Sequence, residues 1–348
     1  MDTFTKSHTS YLKGIAVLFL IYHHITWVPF TIPMQAFNIS ELQVIVSKVC
    51  VDIFTILSGY GITKSYEKNK ENFVYKRVIK LLINYWWVYI PSFILSFILH
   101  IDGSPLQIYG TGLGGFFSFF LDFLGVRALV YSYTLNNTWW YIEAILIYYL
   151  LFPFFYKIMD KYPIFSLLVS AIPCVLCNFF EVAITEREIF YCFPFLIGIY
   201  LANNSILDNV VTASKKNSTK YTCLFTLSTV LFSVLSTQIK LIANVFYAIS
   251  IIFLGICLKN KKIHPVEVCL EFLGKHSMNI FLVHSFVYYY FYIPSDYLDQ
   301  LNVLFRFVLV IVISLLISLI LEKLKTVFTK NTSKLLNHMI RGRNTSSS

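Results

Sequence analysis

The chain has 348 residues, of which 57% are hydrophobic and 18% aromatic but only 13% charged, and its mean hydropathy is +0.67. A soluble globular domain carries about 45–50% apolar and about 25% charged residues, so a soluble fold is excluded and the lipid bilayer is the expected solvent. The formal net charge of +10 would point to nucleic acid in a soluble protein; here the cations fall in short loops, where they report orientation, and no nucleic-acid partner is expected.

The apolar segments are long and nearly uncharged, as membrane helices are, rather than short and alternating as barrel strands are. The expected fold is all-α, a polytopic membrane protein of about ten transmembrane helices. They lie at roughly 11–30, 41–62, 78–101, 137–157, 163–180, 188–203, 220–236, 239–258, 276–295 and 301–322. The first carries Lys13 and two histidines and is followed by no small-residue cleavage site, so it reads as a retained helix and not as a signal peptide. Residues 112–130 are apolar but broken by glycines and by Asp122, and are expected to form a re-entrant or interfacial piece.

With the N-terminus in the cytoplasm, the 28 Lys and Arg residues fall on the cytoplasmic side except for Lys48, Arg127, Arg187, Lys240 and Arg306. That asymmetry is what the positive-inside rule demands, and an even number of spans returns the C-terminus to the same side. One membrane domain is expected over 1–322, followed at 323–348 by a cytoplasmic tail that is basic and then serine-rich. No internal repeat is visible. The seven cysteines lie mostly in or beside apolar segments. The C-x-x-C of Cys174 and Cys177 lacks a second ligand pair, so small core residues are expected and no metal.

Lys13 and His24 in the first span are 11 residues apart, which on an α-helix returns to within about 20° of the same face after about 16 Å of rise. Ionisable groups inside a span are costly and face a cavity or a partner, so this pair marks a site unless the lysine merely snorkels to the headgroups. Asp52, near the middle of the second span, lies at a depth comparable to His24. It is suited to fix the imidazole tautomer, or else caps the Gly59–Gly61 turn or pairs with Lys48. Arg77 and Lys80, one turn apart at the cytoplasmic start of the third span, can hold phosphates or anchor the helix against anionic lipid. The fourth span opens with Asn136, Asn137 and a pair of tryptophans, and Glu143 lies about 9 Å inside that surface. Trp140, Glu143 and Asn137 are therefore candidates for binding sugar hydroxyls, against the plainer reading of an interfacial aromatic belt. His284 in the ninth span is about 13 Å in from Lys275, at a depth where it could meet His24 and Asp52.

These stretches together resemble the integral-membrane acyltransferase family 3, which includes polysaccharide O-acetyltransferases. The Lys13-x10-His24 spacing matches the family's first helix. Val51 to Tyr60 matches its V-D-x-F-F-x-L-S-G-F pattern, with Thr55 and Tyr60 as departures. Arg77 and Lys80 correspond to its R-x-x-R, with lysine in the second place, and Leu273 to Ser277 and Phe281 to His284 match two late elements. Aligning the fourth span on Trp140 and Pro153 puts Ile145 at the place of the family's acid, so Glu143 inherits no role from the motif.

The resemblance implies acyl transfer, most often from acetyl-CoA as donor substrate with no bound cofactor, to a hydroxyl of a surface polysaccharide or lipid-linked oligosaccharide. It implies a multi-pass protein of the bacterial plasma (inner) membrane. The catalytic set would be His24, Asp52 and His284, with Lys13, Arg77 and Lys80 on the acyl-CoA phosphates. His24 would act as general base or be acylated itself. The alternative class is a transporter or flippase of lipid-linked sugars, since buried ionisable groups also mark transporters; no pair of broken helices in corresponding halves supports it.

Overall fold

Helices dominate because the apolar runs are long and must satisfy their backbone groups internally. The computed structural model describes residues 3–26, 47–98, 108–127, 130, 134–180, 190–261, 263–287 and 302–345. Among these there is no strand. The helices are α1 (Lys6–Thr26), α2 (Val49–Lys68), α3 (Phe73–Ile98), α4 (Gly112–Phe123), α5 (Trp140–Lys161), α6 (Pro163–Phe180) and α7 (Cys192–Asn203). They continue with α8 (Ile206–Lys216), α9 (Ser218–Gln238), α10 (Lys240–Asn260), α11 (His264–Lys275), α12 (Ser277–Ser285) and α13 (Val303–Thr345). A 3-10 turn at Asn137–Trp139 leads into α5.

Four helical stretches are long and apolar enough to cross a membrane: Phe73–Ile98, Asn137–Lys161, Leu241–Asn260 and Val303–Lys330. Among the rest, α1 and α2 have the length but carry Lys13, His23, His24 and Asp52, and α9 is diluted by serine and threonine. Shorter apolar helices cover Gly112–Phe123, Pro163–Leu176 and Cys192–Asn203. The outer parts of several predicted spans (27–30, 41–46, 99–101, 188–189 and 288–295) lie outside the described residues. Two helices are additions to the sequence reading: the short amphipathic α8, and α11, which breaks from α12 at His276. The last helix also runs past Lys323 to Thr345 without interruption. Its first turn beyond that point is pinned by an ion pair from Lys325 to Glu322 at 3.0 Å.

The outward faces are apolar. Ile90, Ile94 and Phe97 on α3, Phe165 and Leu168 on α6, and Leu304, Val308, Leu316 and Ile320 on α13 are all exposed. Isoleucine and phenylalanine in such numbers on an outer surface belong in lipid. The interior is built on two close helix crossings. A Cβ on Gly14 would collide with the backbone oxygen of Leu270, and one on Gly274 with that of Ser10, so α1 and α11 meet backbone to backbone. Gly59 and Gly198 do the same for α2 and α7, against Phe195 and Ile56. Such small-residue contacts are the usual way to bring membrane helices together, because burial of apolar surface gains nothing from lipid. The first helix thus becomes the centre, packed by α2, α10, α11, α12 and α13.

At the Lys13 end, α1 is tied down by charge. Ser7 Oγ donates to Glu271, Lys259 pairs with Glu271 and with Glu267 (2.6 Å), and the Phe4 amide donates to Asp208 at 2.6 Å. Burial works against an ionised Glu271, but the hydrogen bonds from Lys259 and Ser7 together outweigh it and hold its carboxyl below the usual glutamate range.

At the far end, α4 is locked to α3. Tyr109 Oη donates to Asp122 Oδ2 at 2.6 Å, Tyr85 Oη to the Asp122 carbonyl at 2.9 Å and Trp86 Nε1 to the Phe123 carbonyl at 2.7 Å. Arg127 holds this piece from the other side, donating to Ser118 and to the Ile108 carbonyl, both at 2.7 Å. Asp122 is therefore a structural anchor. Its Oδ2 also accepts from the Leu135 amide at 2.9 Å and so fixes where α5 begins.

Candidate active site

The side chains that sequence spacing puts on one face of α1 do reach two different neighbourhoods. At the lower end, Lys13 lies within electrostatic reach of Lys80 and Arg77 on α3. Arg77 rests over the Phe73 ring, 5.3 Å from its centroid, and Lys80 is exposed. Three cations drawn together cost energy through mutual repulsion unless an anion joins them. Lys325 approaches the same helix, donating to Asn84 Oδ1 at 3.1 Å and to Asn279 Oδ1 at 3.0 Å.

At the upper end, His24 meets His284 of α12 with ring centroids 4.8 Å apart at 52°. His23 stands on the other side of His24, its ring 5.2 Å away and nearly perpendicular, and its Nδ1 is 3.2 Å from Ser47 Oγ. The two adjacent histidines are thus distinct, as their positions about 100° apart on the helix require.

His284 has its tautomer set by the backbone. Its Nδ1 is 2.7 Å from the Phe281 carbonyl and 3.2 Å from that of Ile280. A carbonyl oxygen only accepts, so Nδ1 carries the hydrogen and Nε2 of the neutral ring keeps its lone pair. That Nε2 is buried and has no hydrogen-bond partner among the described residues. A base nitrogen held without a partner beside a second imidazole is suited to receive a proton or a hydroxyl hydrogen.

The start of α5 closes the site through residues the sequence did not single out. Asn136 is fully buried and donates from Nδ2 to Ser285 Oγ at 2.6 Å, the residue after His284. Its Oδ1 caps the 3-10 turn, accepting from the Thr138 amide at 3.0 Å and from Thr138 Oγ1 at 2.9 Å. Trp139 Nε1 donates to the Leu282 carbonyl at 3.0 Å. The asparagine expected there, Asn137, is exposed, and its Oδ1 takes the Thr134 amide at 3.4 Å. The Asn-x-Thr capping pattern is the local signal that picks out Asn136, since a cap side chain turns inward over the helix end. Of the other acceptor-side candidates, Glu143 is buried and Trp140 lies against Tyr191, 5.2 Å between centroids.

Asp52 is buried and faces a cavity of about 170 Å³ together with Lys48 and Asn244. Among the described residues no three of His, Cys, Asp and Glu come together as a metal ion would need.

A helical bundle with a lipid-facing apolar exterior, a half-buried His24 packed on a buried His284 and a cation cluster at the other end of the same helix is the frame of a membrane protein with an internal reaction centre. The chain belongs to acyltransferase family 3: the family model, described as an acyltransferase domain, matches residues 10–323. That range spans every residue of the site described above except Lys325. No curated protein and no solved structure matches the chain. The protein is therefore a membrane acyltransferase.

Proposed function

We propose that this acyltransferase moves an acetyl group from cytoplasmic acetyl-CoA to a hydroxyl of a cell-surface polysaccharide or its lipid-linked precursor, in a bacterial plasma membrane. The reading includes ten spans with both termini in the cytoplasm, which puts the Lys13 end of α1 on the side where acetyl-CoA is found. The observation that carries it is the arrangement along α1: an anion-seeking cation cluster about 16 Å below a histidine pair. Acetyl-CoA has matching parts, with phosphates at one end of a long arm and the thioester at the other.

In this scheme Lys13, Arg77 and Lys80 hold the phosphates by charge-assisted bonds, and the thioester lies beside His24. With His24 as general base, the acceptor O–H proton passes to His24 as the oxygen attacks the acetyl carbon. The C–O bond forms, the C–S bond breaks, and the departing thiolate takes the proton. With His24 as acyl carrier, its ring nitrogen attacks first, the C–S bond breaks and CoA leaves as the thiolate; the acceptor oxygen then attacks the acyl carbon, the C–N bond to His24 breaks, and the acceptor proton passes to His284 Nε2 and on to the thiolate. Where His24 is the base, His284 accepts from a neighbouring hydroxyl of the acceptor, and in neither route does it polarise the carbonyl, because its only donor is already given to Phe281. Asp52 serves as the carboxylate that orients His24. Trp140, Glu143 and Asn137 remain on the acceptor side.

The test uses membranes bearing the full chain or His24→Ala, acetyl-CoA labelled in its acetyl group, and the host's surface polysaccharide. Base-labile label on polysaccharide with equal release of CoA, in the wild type alone, is the expected result. Equal transfer by both chains would remove His24 from the centre. A wild type that transfers nothing to a competent acceptor would overturn the acetyl reading.

A further inference from the structure

The chemistry assigned to His24 and the cation cluster uses only the Asp52 carboxylate of the cavity beside it, yet the whole cavity is built like a binding site. Its volume of about 170 Å³ is room for about five or six waters, at about 30 Å³ each, or one small ring with its substituents. It is too small for an oligosaccharide or for a coenzyme. Two of its polar walls are deeply buried, Asp52 at 6% and Asn244 at 5% exposure, on α2 and α10. Asn244 Oδ1 has no hydrogen-bond partner among the described residues. A buried amide oxygen without a partner costs free energy that a ligand recovers on binding.

The wall chemistry narrows the ligand. Lys48, one turn before Asp52 on the same helix, is an exposed lining residue, so the carboxylate already has a cation nearby and a cationic ligand gains little. Asp52 in turn repels an anion. What remains is a neutral group, and a hydroxyl fits best because it both donates and accepts. It satisfies a carboxylate, an ammonium and either end of a carboxamide, whichever way the amide is turned. The other walls include the rings of Phe190 and Tyr191, and Tyr191 is backed by Trp140 at 5.2 Å. Aromatic and polar residues lining one small cavity suit a ring with an apolar face and hydroxyls at its edge.

The cavity also borders residues next to the histidine pair. Lys48 follows Ser47, the partner of His23, whose ring lies against His24, and Tyr191 packs on Trp140, which follows Trp139, bonded to the His284 helix. We infer that this cavity, walled by Asp52, Asn244, Lys48 and Tyr191, binds one uncharged sugar ring of the acceptor. The assignment of that ring to an acceptor rests on the acetyl-transfer reading; the binding of a neutral hydroxylated ring rests on the cavity alone.

The experiment measures binding without catalysis. Full-length protein in lipid nanodiscs, without acetyl-CoA, is tested by saturation-transfer NMR against methyl glycosides of glucose, galactose and N-acetylglucosamine. The wild type is expected to saturate at least one of them. Asn244→Leu, which removes the orphan acceptor, and a tryptophan substitution at the lining residue Leu241 (Leu241→Trp), which fills the volume, are each expected to weaken that binding about tenfold or more. Asn244→Ala replaces either variant that fails to accumulate. No saturation of any glycoside by the wild type, or equal saturation by the variants, would overturn the inference. Loss of binding in the variants supports the site even if the labelled-acetate assay shows no transfer, because that assay tests the acetyl reading separately.

Discussion

The Asn136 side-chain amide donates to Ser285 Oγ at 2.6 Å, across 149 positions of sequence, and both residues are fully buried. This bond joins the start of α5 to the helix turn that carries His284. It is continued backward by the Leu135 amide, which donates to Asp122. The position of one half of the imidazole pair therefore depends on a chain of buried hydrogen bonds reaching to α3 and α4.

Replacing Asn136 with Leu breaks that chain while keeping the volume. Ser285 keeps only its contact with Thr138 Oγ1 at 3.1 Å, and the Thr138 amide loses its partner, a cost of about 1–3 kcal/mol for a group left unpaired. The expected outcome is a lower melting temperature and a kcat reduced at least tenfold, with KM for acetyl-CoA unchanged. Asn137→Leu, on the exposed neighbour assigned to the acceptor side, should leave the melting temperature near wild type and raise only KM for the acceptor. Thermal melts and initial rates on the two variants check the contrast.

The histidines are expected to differ in what they lose. His24→Ala should abolish transfer without loss of protein from the membrane. His284→Gln should lower kcat by about 10²–10⁴, the range for removing a general base or its equivalent. The Gln side chain still donates toward Phe281 or accepts from a hydroxyl, but it takes up no proton. Retention of wild-type kcat in His284→Gln would show that its free Nε2 is not used.

Lys13→Gln, Arg77→Gln and Lys80→Gln should each raise KM for acetyl-CoA by about tenfold, the scale of one charge-assisted bond. Their effect on kcat should be small. Salt should raise the wild-type KM more steeply than that of any of the three variants, since fewer charges remain to be screened. Titrating KM between low and physiological salt gives the slopes.

Glu271 makes stability depend on pH in a stated direction. Its folded value is depressed below the ordinary 4.5, so its contribution is fully present above pH 4.5 and is lost as pH falls through the folded value. The groups facing it are Lys259, Ser7 and Lys275. Glu271→Gln should therefore melt below wild type at every pH from 4.5 to neutrality, and the gap should shrink at more acid pH. A gap that stays constant down to pH 3 would mean that Glu271 acts by packing and not by charge.

Gly274→Ala tests the α1–α11 crossing. The added carbon would fall on the Ser10 backbone oxygen, which no side-chain rotation relieves, and forced repacking of this kind costs about 1–3 kcal/mol or more. Because α1 carries both Lys13 and His24, folded protein that survives should show loss of both acetyl-CoA affinity and rate. Yield, melting temperature and kinetics of the one variant suffice.

Much of this protein is written locally. Long apolar runs in a charge-poor chain require membrane helices, because backbone groups in lipid must pair within their own segment. The 11-residue step from Lys13 to His24 puts both on one side of α1 through helix geometry alone. The family resemblance carried by Val51–Tyr60, Arg77, Lys80 and Phe281–His284 likewise needs no coordinates.

What the sequence could not supply are the relations between helices. That His24 meets His284, and that Asn136 rather than its neighbour Asn137 turns inward, depends on where α1, α5 and α12 cross. Those crossings are set by backbone contacts at Gly14, Gly274, Gly59 and Gly198, and a glycine in an apolar run does not announce which helix will lie against it. The separate α11 was hidden for a related reason: its Glu267 and Glu271 are met by Lys259 on the end of the preceding helix, and Glu271 also by Ser7, 264 positions away. The cavity between Asp52 and Asn244 belongs to no single segment. It exists because helices held at fixed crossing points leave a volume between them, and only the tertiary structure decides which side chains face it.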